Sequence, residues 1–495
     1  MRKRIILLLL FMGSITALKA QNTAKSLDSL FRSAATTGLF NGNVLVAQQG
    51  EIIYDQSFGQ ASFEQEKSLV SSTSFQLASL SKPLTAIAVL QQYEKGKLQL
   101  DDPFSKFFPA FPYKEITIRQ LMSHSSGLSD QDLAGAFAEF EKKNHREPDN
   151  RDLVPIIAAA KTMLKLPPGQ KWWYCNLGYQ LLANLVEKTA GMPFEQYLQK
   201  NIFRPAGMHD TYLKLPSTPA RDETAANYDY TTRYTPEKTR VEYTEQTYGH
   251  SNIFSTTGDL FKLDQALYGN QLLKQTTLGI AFSPDKWKDG SDNIVWMNIG
   301  GMGQALDGLG WFSFSDQTMG KTVWHTGGMA GAVTIMLRNI DRKQTVILLD
   351  NTGSEGLYKT ALNALKLLNG QPIVPIKKNL SKIYGRAMMK QGVDHAMTML
   401  QQLKTDTVHY NLNEDDMNNL GYAFLNDKLL PMALETLKVN CLLYPMSDNV
   451  YNSYGEALAK AGRKLDAISM YQKSLALNPR NEDSQKALDD LLKQH

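Results

Sequence analysis

At 495 residues, with 42% hydrophobic and 21% charged residues, the chain has a globular composition and is too long for one ordinary domain. Its 53 basic residues exceed its 49 acidic ones only through Arg2, Lys3, Arg4 and Lys19, so without residues 1–20 the two signs are equal. That balance argues against nucleic acid or an anionic membrane as partner. Scattered histidines and two lone cysteines, Cys175 and Cys441, supply no metal site, no cofactor site and a poor pair for a disulfide.

The chain opens with basic Arg2–Arg4, an apolar run over Ile5–Met12 and small residues up to Ala20. This pattern predicts a secretory signal peptide over 1–20, with a run too short to span a bilayer. A periplasmic or secreted protein without a membrane anchor after cleavage is expected. Residues 40–59 alternate in strand fashion about a turn at Gln48-Gln49-Gly50, which predicts a β-hairpin. Helical periodicity follows over 80–95, with Leu84, Ile87, Leu90 and Tyr93 on one side, and again over 177–201, where Tyr179, Leu182 and Leu185 share a face. Strand patterns return at Thr322–Trp324, Ala332–Arg338 and Thr345–Leu349. Strands at both ends with helices between them predict α+β layering.

Near residue 370 the character changes. Asn369-Gly370-Gln371-Pro372 breaks regular structure, and 371–379 reads as a linker between a domain over 21–370 and a helical domain over 380–495. In the latter, Gly421, Ala423, Ala433, Leu437 and Pro445 recur as Gly455, Ala457, Ala467, Tyr471 and Pro479, a period of 34. The period and residues resemble tetratricopeptide repeats, with a degenerate third repeat over 380–403. Such helix pairs would offer a surface to a protein or peptide partner.

Three motifs carry chemistry. Ser79-Leu80-Ser81-Lys82 stands where an extended stretch gives way to a helix; Pro83 fits only a first turn, so Ser79 lies at the helix N-terminus with Lys82 one turn on. A nucleophilic hydroxyl there gains from unpartnered N–H groups, and a buried lysine can work as a base. Tyr174-Cys175-Asn176 separates a Pro-Gly turn from the helix at 177, and His325-Thr326-Gly327-Gly328 ends a strand in small residues that let a substrate lie against its edge. Each motif alone admits a plainer reading. Ser79 could be an N-cap, Lys82 a solvated helix residue, Tyr174 one more packed aromatic and His325 a core histidine. A second Ser-x-x-Lys, Ser283–Lys286, sits in a Pro-Asp turn and reads as chance.

Together, in this order, the motifs resemble the serine β-lactamase and penicillin-binding-protein-like hydrolases, in their class C and D,D-peptidase branch. Leu121–Leu128, Ile202–Met208 and Gly308–Trp311 fit the same family. The resemblance implies an antiparallel sheet flanked by helices with an all-helical insertion. It also implies Ser79 as nucleophile, Lys82 and Tyr174 as proton-moving groups, and Asn176 as the residue that orients the lysine and the substrate amide. His325, Thr326, Gly327 and Gly328 would line the substrate strand, with Gly328 N–H beside Ser79 N–H as oxyanion hole. His124 is read as structural. Histidine replaces the lysine of the usual Lys-Thr-Gly, which removes a fixed cation for a substrate carboxylate. No Gly-x-Ser-x-Gly elbow occurs. The expectation is an exported serine hydrolase acting through a Ser79 acyl-enzyme on a small-molecule or peptide substrate: an ester, an amide or a D-amino-acid peptide. The alternative is a catalytically idle binding protein that uses the cleft and the repeats as interaction surfaces.

Overall fold

The hairpin near the N-terminus is built by its turn. Gln49 and Gly50 both take positive φ, +55° and +83°, the twist that a two-residue connection needs. It joins β1 (Gly42–Gln48) to β2 (Glu51–Phe58). In the computed structural model, which describes residues 22–493 apart from 220, 236 and 296–303, this hairpin forms one edge of an eight-stranded sheet. The other strands are β3 (Ile294–Val295), β4 (Ala305–Asp307), β5 (Phe312–Phe314), β6 (Thr322–Met329), β7 (Ala332–Asn339) and β8 (Gln344–Asp350). Their order is β3-β4-β5-β6-β7-β8-β1-β2, and every neighbouring pair is antiparallel. The expected signal peptide lies outside the described residues. Among these residues no helix is long and apolar enough to cross a membrane.

Both faces of the sheet are covered, and the central strands are therefore apolar throughout rather than alternating. Val44 and Val46 of β1 with Val346 and Leu348 of β8 pack into one cluster, alongside helix α1 (residues 22–36). Leu45, Ala47, Ile347 and Leu349 point the other way, into a larger cluster with α2 (Lys82–Glu94), α4 (Asn176–Ala190) and α5 (Thr257–Tyr268). Helix α6 (Leu357–Leu368) covers the first face with Leu357, Ala361, Leu362 and Leu365. Between the short strands Phe75–Gln76 and Tyr212–Leu213 every named element is a helix, among them α3 (Asp130–Asn144).

One helical expectation changes length. The pattern over 177–201 is a helix only over Asn176–Ala190, where Gly191 caps it at φ +66°. Pro193 then starts a separate short helix, Phe194–Leu198. The periodicity carried across because both pieces bury apolar residues in the same cluster, and periodicity does not register a cap.

The described chain forms two compact units. One holds the residues up to Tyr228 together with Arg240–Val374, and the other holds Asp229–Thr239 together with Pro375 onward. The second unit is helical: α7 (Leu380–Gln391), α8 (Val393–Leu403), α9 (Glu414–Asn426), α10 (Leu430–Leu443), α11 (Asp448–Lys460), α12 (Lys464–Leu477) and α13 (Glu482–Lys493). The bounds of α9 and α10 recur 34 residues later as those of α11 and α12. Gly421 faces Leu437 within the first pair as Gly455 faces Tyr471 within the second. A short parallel ladder, Lys378–Asn379 on Tyr410–Asn411, ties the entry of this unit to its first helices.

Candidate active site

The turn before α2 presents Ser79. Residues Ala78–Ser81 form a 3₁₀ turn that runs into the α-helix at Lys82, so the regular helix starts later than Ser79 and Ser79 sits on the tighter turn. Ala78 holds φ +48°, a left-handed conformation that costs a non-glycine residue about 1–2 kcal/mol. The turn is fixed from three sides. Leu77 N–H donates to Ile253 O at 2.9 Å, Thr334 Oγ1 donates to Leu77 O at 2.7 Å, and Ser81 Oγ accepts from Ile253 N–H at 3.1 Å.

Strand β6 comes close to this turn because Gly327 has no side chain. A Cβ there would lie 2.0 Å from Leu77 O and 3.1 Å from Ala78 Cβ. Strand β5 pairs with β6 only at Val323 and Trp324, whereas β7 pairs with it over its whole length. From His325 onward β6 therefore carries ladder partners on one side, and its other flank meets the Ser79 turn. Along this stretch His325 is buried, Thr326 half-buried and Gly328 exposed.

The side chains converge on Ser79 Oγ. Lys82 Nζ stands 2.9 Å from it and Tyr174 Oη 2.8 Å. Lys82 is wholly buried, and its other two partners, Asn176 Oδ1 at 2.9 Å and His250 O at 3.1 Å, are pure acceptors. They hold two N–H bonds of the amine in either charge state. The third valence faces Ser79, as an N–H when the lysine is charged and as a lone pair when it is neutral. Burial pulls the Lys82 pKa down to about 7 against the opposing pull of Asp130 and Glu245, so both forms occur near neutral pH. Burial pushes the Tyr174 hydroxyl up, and that group stays protonated.

Asp130, at the start of α3, was invisible as a motif. Its carboxylate accepts from Asn176 N–H at 2.9 Å, Asn176 Nδ2 at 3.1 Å, Leu177 N–H at 3.0 Å and the Cys175 thiol at 3.1 Å. It caps α4 from another helix, in place of a side chain on Cys175. By holding the NH₂ of Asn176 it also turns Oδ1 toward Lys82. The local signal at this position is Ser129, whose hydroxyl accepts from Asp132 N–H and so sets the start of α3 at Asp130.

The remaining expected residues take quieter positions. His325 Nδ1 donates to Thr326 O at 2.7 Å, and burial together with Lys82 lowers its pKa to about 3, so it is a neutral ring at neutral pH. Tyr358 of α6 donates to Gly327 O at 2.9 Å and braces the strand beside Gly328. His124, at φ +51°, stacks on Tyr174 with ring centroids 4.2 Å apart and accepts Cys175 N–H on Nδ1 at 3.2 Å. Among the described residues no cluster of His, Cys, Asp or Glu is arranged to hold a metal ion.

Residues 27–369 match the Beta-lactamase family. The chain belongs to that family. A penicillin-binding protein of Bacillus subtilis (strain 168) is 34% identical over 365 residues, covering 71% of this chain and 77% of that one. Esterase EstB of Burkholderia gladioli is 32% identical over 206 residues, 39% of this chain and 52% of its own. The crystal structure of a penicillin-binding protein from Bacillus halodurans shares the fold at a TM-score of 0.57 and 24% identity, covering 69% of this chain and 98% of that one. The chain is thus a β-lactamase-like member of a serine hydrolase family whose relatives include penicillin-binding proteins and an esterase. The family match stops at residue 369, before the C-terminal helices begin at Leu380.

Proposed function

We propose that the protein is an exported serine hydrolase that works through an acyl-enzyme on Ser79. One observation carries the reading: Ser79 Oγ lies within hydrogen-bond reach of two groups able to move its proton, Lys82 Nζ at 2.9 Å and Tyr174 Oη at 2.8 Å. In the acylation step neutral Lys82 takes the Ser79 proton onto its free lone pair as Oγ attacks the carbonyl carbon. The tetrahedral oxyanion is held by the backbone N–H groups of Ser79 and Gly328. Collapse breaks the bond to the leaving group, which receives a proton relayed from Lys82 through Tyr174 Oη. Water then attacks the ester, its proton passes to the same pair, and Ser79 is regenerated. Asn176 steadies Lys82 and offers its amide to the substrate.

The substrate class is an ester, an amide or a D-amino-acid peptide. A neutral His325 beside Thr326 favours substrates that do not depend on a fixed cation for a carboxylate. Export rests on the signal-like segment at 1–20. The test is labelling with a fluorophosphonate alongside hydrolysis of nitrocefin, short p-nitrophenyl esters and D-Ala-D-Ala peptides, for wild type and Ser79→Ala. A stoichiometric adduct on Ser79 with turnover of at least one substrate is expected. Labelling that survives Ser79→Ala would overturn the assignment.

A further inference from the structure

A cavity of about 440 Å³ adjoins Lys82 within the sheet-bearing unit. It is walled by α3 and the chain just after it, by the first turns of α4 and by residues 245–250. Two of its walls touch Lys82. Asn176 lines it while its Oδ1 accepts from Lys82 Nζ at 2.9 Å, and His250 lines it while its backbone O accepts from Nζ at 3.1 Å. Because Nζ also stands 2.9 Å from Ser79 Oγ, the Asn176 wall lies within two hydrogen-bond lengths of the nucleophile.

The charge on these walls has one sign. Glu141, Glu147, Glu245 and Asp130 line the cavity, and among the described residues that line it there is no lysine or arginine. Asp130 is already spent on the start of α4. Arg146, between two of the glutamates in sequence, is held by the Asp152 carboxylate at 2.7 and 2.9 Å. His250 does not neutralise Glu245, and the hydrogen-bond directions show why. The Thr247 hydroxyl donates to Glu245 Oε1 at 3.2 Å, so it accepts from the Gln180 NH₂ at 2.8 Å. The same NH₂ faces His250 Nδ1 at 3.3 Å, so Nδ1 is the accepting nitrogen and Nε2–H donates to Glu245 Oε1 at 2.8 Å. The ring is neutral, and the carboxylate keeps its charge.

Gln180 adds an acceptor. It is only 9% exposed, its NH₂ is committed, and its Oε1 receives no hydrogen bond from any described residue. A buried amide carbonyl in that position calls for a donor from whatever fills the cavity. Phe137 and Leu177 supply apolar wall. Among the described residues the carboxylates are too dispersed to hold a metal ion, which leaves an organic cation as the matching ligand.

We propose that this cavity binds the primary ammonium end of a substrate's acyl chain, with the apolar stem of that chain against Phe137 and Leu177. The ammonium donates to the Gln180 carbonyl and lies among the three glutamates. This rests on the serine hydrolase reading and narrows its substrate class to acyl compounds with an amino group remote from the carbonyl.

The experiment measures KM and kcat for p-nitrophenyl 6-aminohexanoate and p-nitrophenyl hexanoate, which differ by one ammonium. It uses the full chain as wild type, as the double variant Glu141→Gln/Glu147→Gln and as Ala138→Lys, which puts a cation on the same wall. All three substituted residues are exposed, so the fold is not at stake. Calorimetric titration of Ser79→Ala with n-butylammonium chloride reads the site without turnover. Wild type should favour the amino ester by about fivefold or more in KM, and both variants should lose most of that preference with the hexanoate values unchanged. Butylammonium should bind Ser79→Ala, less tightly at high salt and less tightly once Glu141 and Glu147 are also replaced. Equal KM for the two esters in wild type, or a preference that survives in both variants, would overturn the proposal. Butylammonium binding without ester discrimination would reveal a free-amine site and overturn the substrate assignment. If Ser79 fails to label, the hydrolase reading falls alone, because the titration is read without chemistry.

Discussion

The two units treat charge differently. In the sheet-bearing unit Lys82, Arg338, Asp259, Asp264, Asp307, Asp350, His124, His250 and His325 are buried, whereas from Leu380 on the buried polar residues are only serine, threonine and asparagine. Burying an ionisable group costs several kcal/mol unless partners repay the lost hydration. The helices avoid that cost by fitting small residues against large ones, as Gly421 does against Leu437. Some buried charges of the sheet-bearing unit are matched by an opposite charge. Arg338 Nε lies 2.5 Å from Asp264 Oδ1, and Thr345 donates to the other carboxylate oxygen at 2.8 Å. Lys82 is held differently: its three hydrogen-bond partners are all uncharged, as are those of the Asp307 and Asp350 carboxylates. At Lys82 the cost of burial falls on a charge beside a hydroxyl, an arrangement expected where stability is given up for chemistry.

The sharpest way to test this contrast is at Lys82 itself. Ser79→Ala and Lys82→Ala should each lower turnover by roughly 10³-fold or more, with the double variant hardly worse than either, because the two act as one unit. Additive losses in the steady-state rates would break the pairing. The pH profile of kcat/KM should rise as Lys82 loses its proton, with a midpoint near pH 7. In Asp130→Asn that midpoint should move to lower pH, since a negative charge that favours the lysine proton is gone. A midpoint that stays or rises would remove Asp130 from the site.

Asp264→Asn tests a matched charge. Leaving Arg338 buried without its counter-ion should cost about 3–5 kcal/mol. Hydrogen exchange should show the loss in β7 and β8, with α9–α12 keeping their protection. The stability difference between wild type and Lys82→Met gives a smaller effect. The folded pKa of Lys82 lies below its unfolded value of 10.5, so the unfolded chain binds more protons between about pH 7 and 10.5. Wild type should gain stability relative to Lys82→Met as pH rises through that window, and denaturant titrations at pH 7 and 9.5 would show whether it does. Least of all, Gly421→Ala should cost about 1–2 kcal/mol by crowding Leu437 and leave ester turnover unchanged.

The hairpin could be read from its turn at Gln49-Gly50, although β1 is buried on both faces rather than alternating as expected, and β7 and β8 could be read from their apolar residues. The motif residues were legible because each stands where one kind of element meets another. Asp130 was not, since its partners lie across the fold and any acidic residue opening a helix looks the same in sequence. The cap at Gly191 was missed because apolar periodicity continued past it. The membership of 229–239 in the helical unit was missed for a simpler reason. Nothing local to Tyr234 indicates that its partner is Phe424.

That last contact also bears on how the chain matures. Tyr234 and Asp427 are 193 residues apart in sequence, and closing so long a loop is slow compared with pairing neighbouring helices. During synthesis the Tyr234 segment emerges long before α7 and α9 exist to receive it. A ribosome-bound or prematurely terminated chain that stops at Val374 would display Tyr234 without Phe424, the ring it stacks on in the finished fold. The nascent protein therefore passes through a stage at which an aromatic segment is open to other chains, and completion of the C-terminal helices ends it.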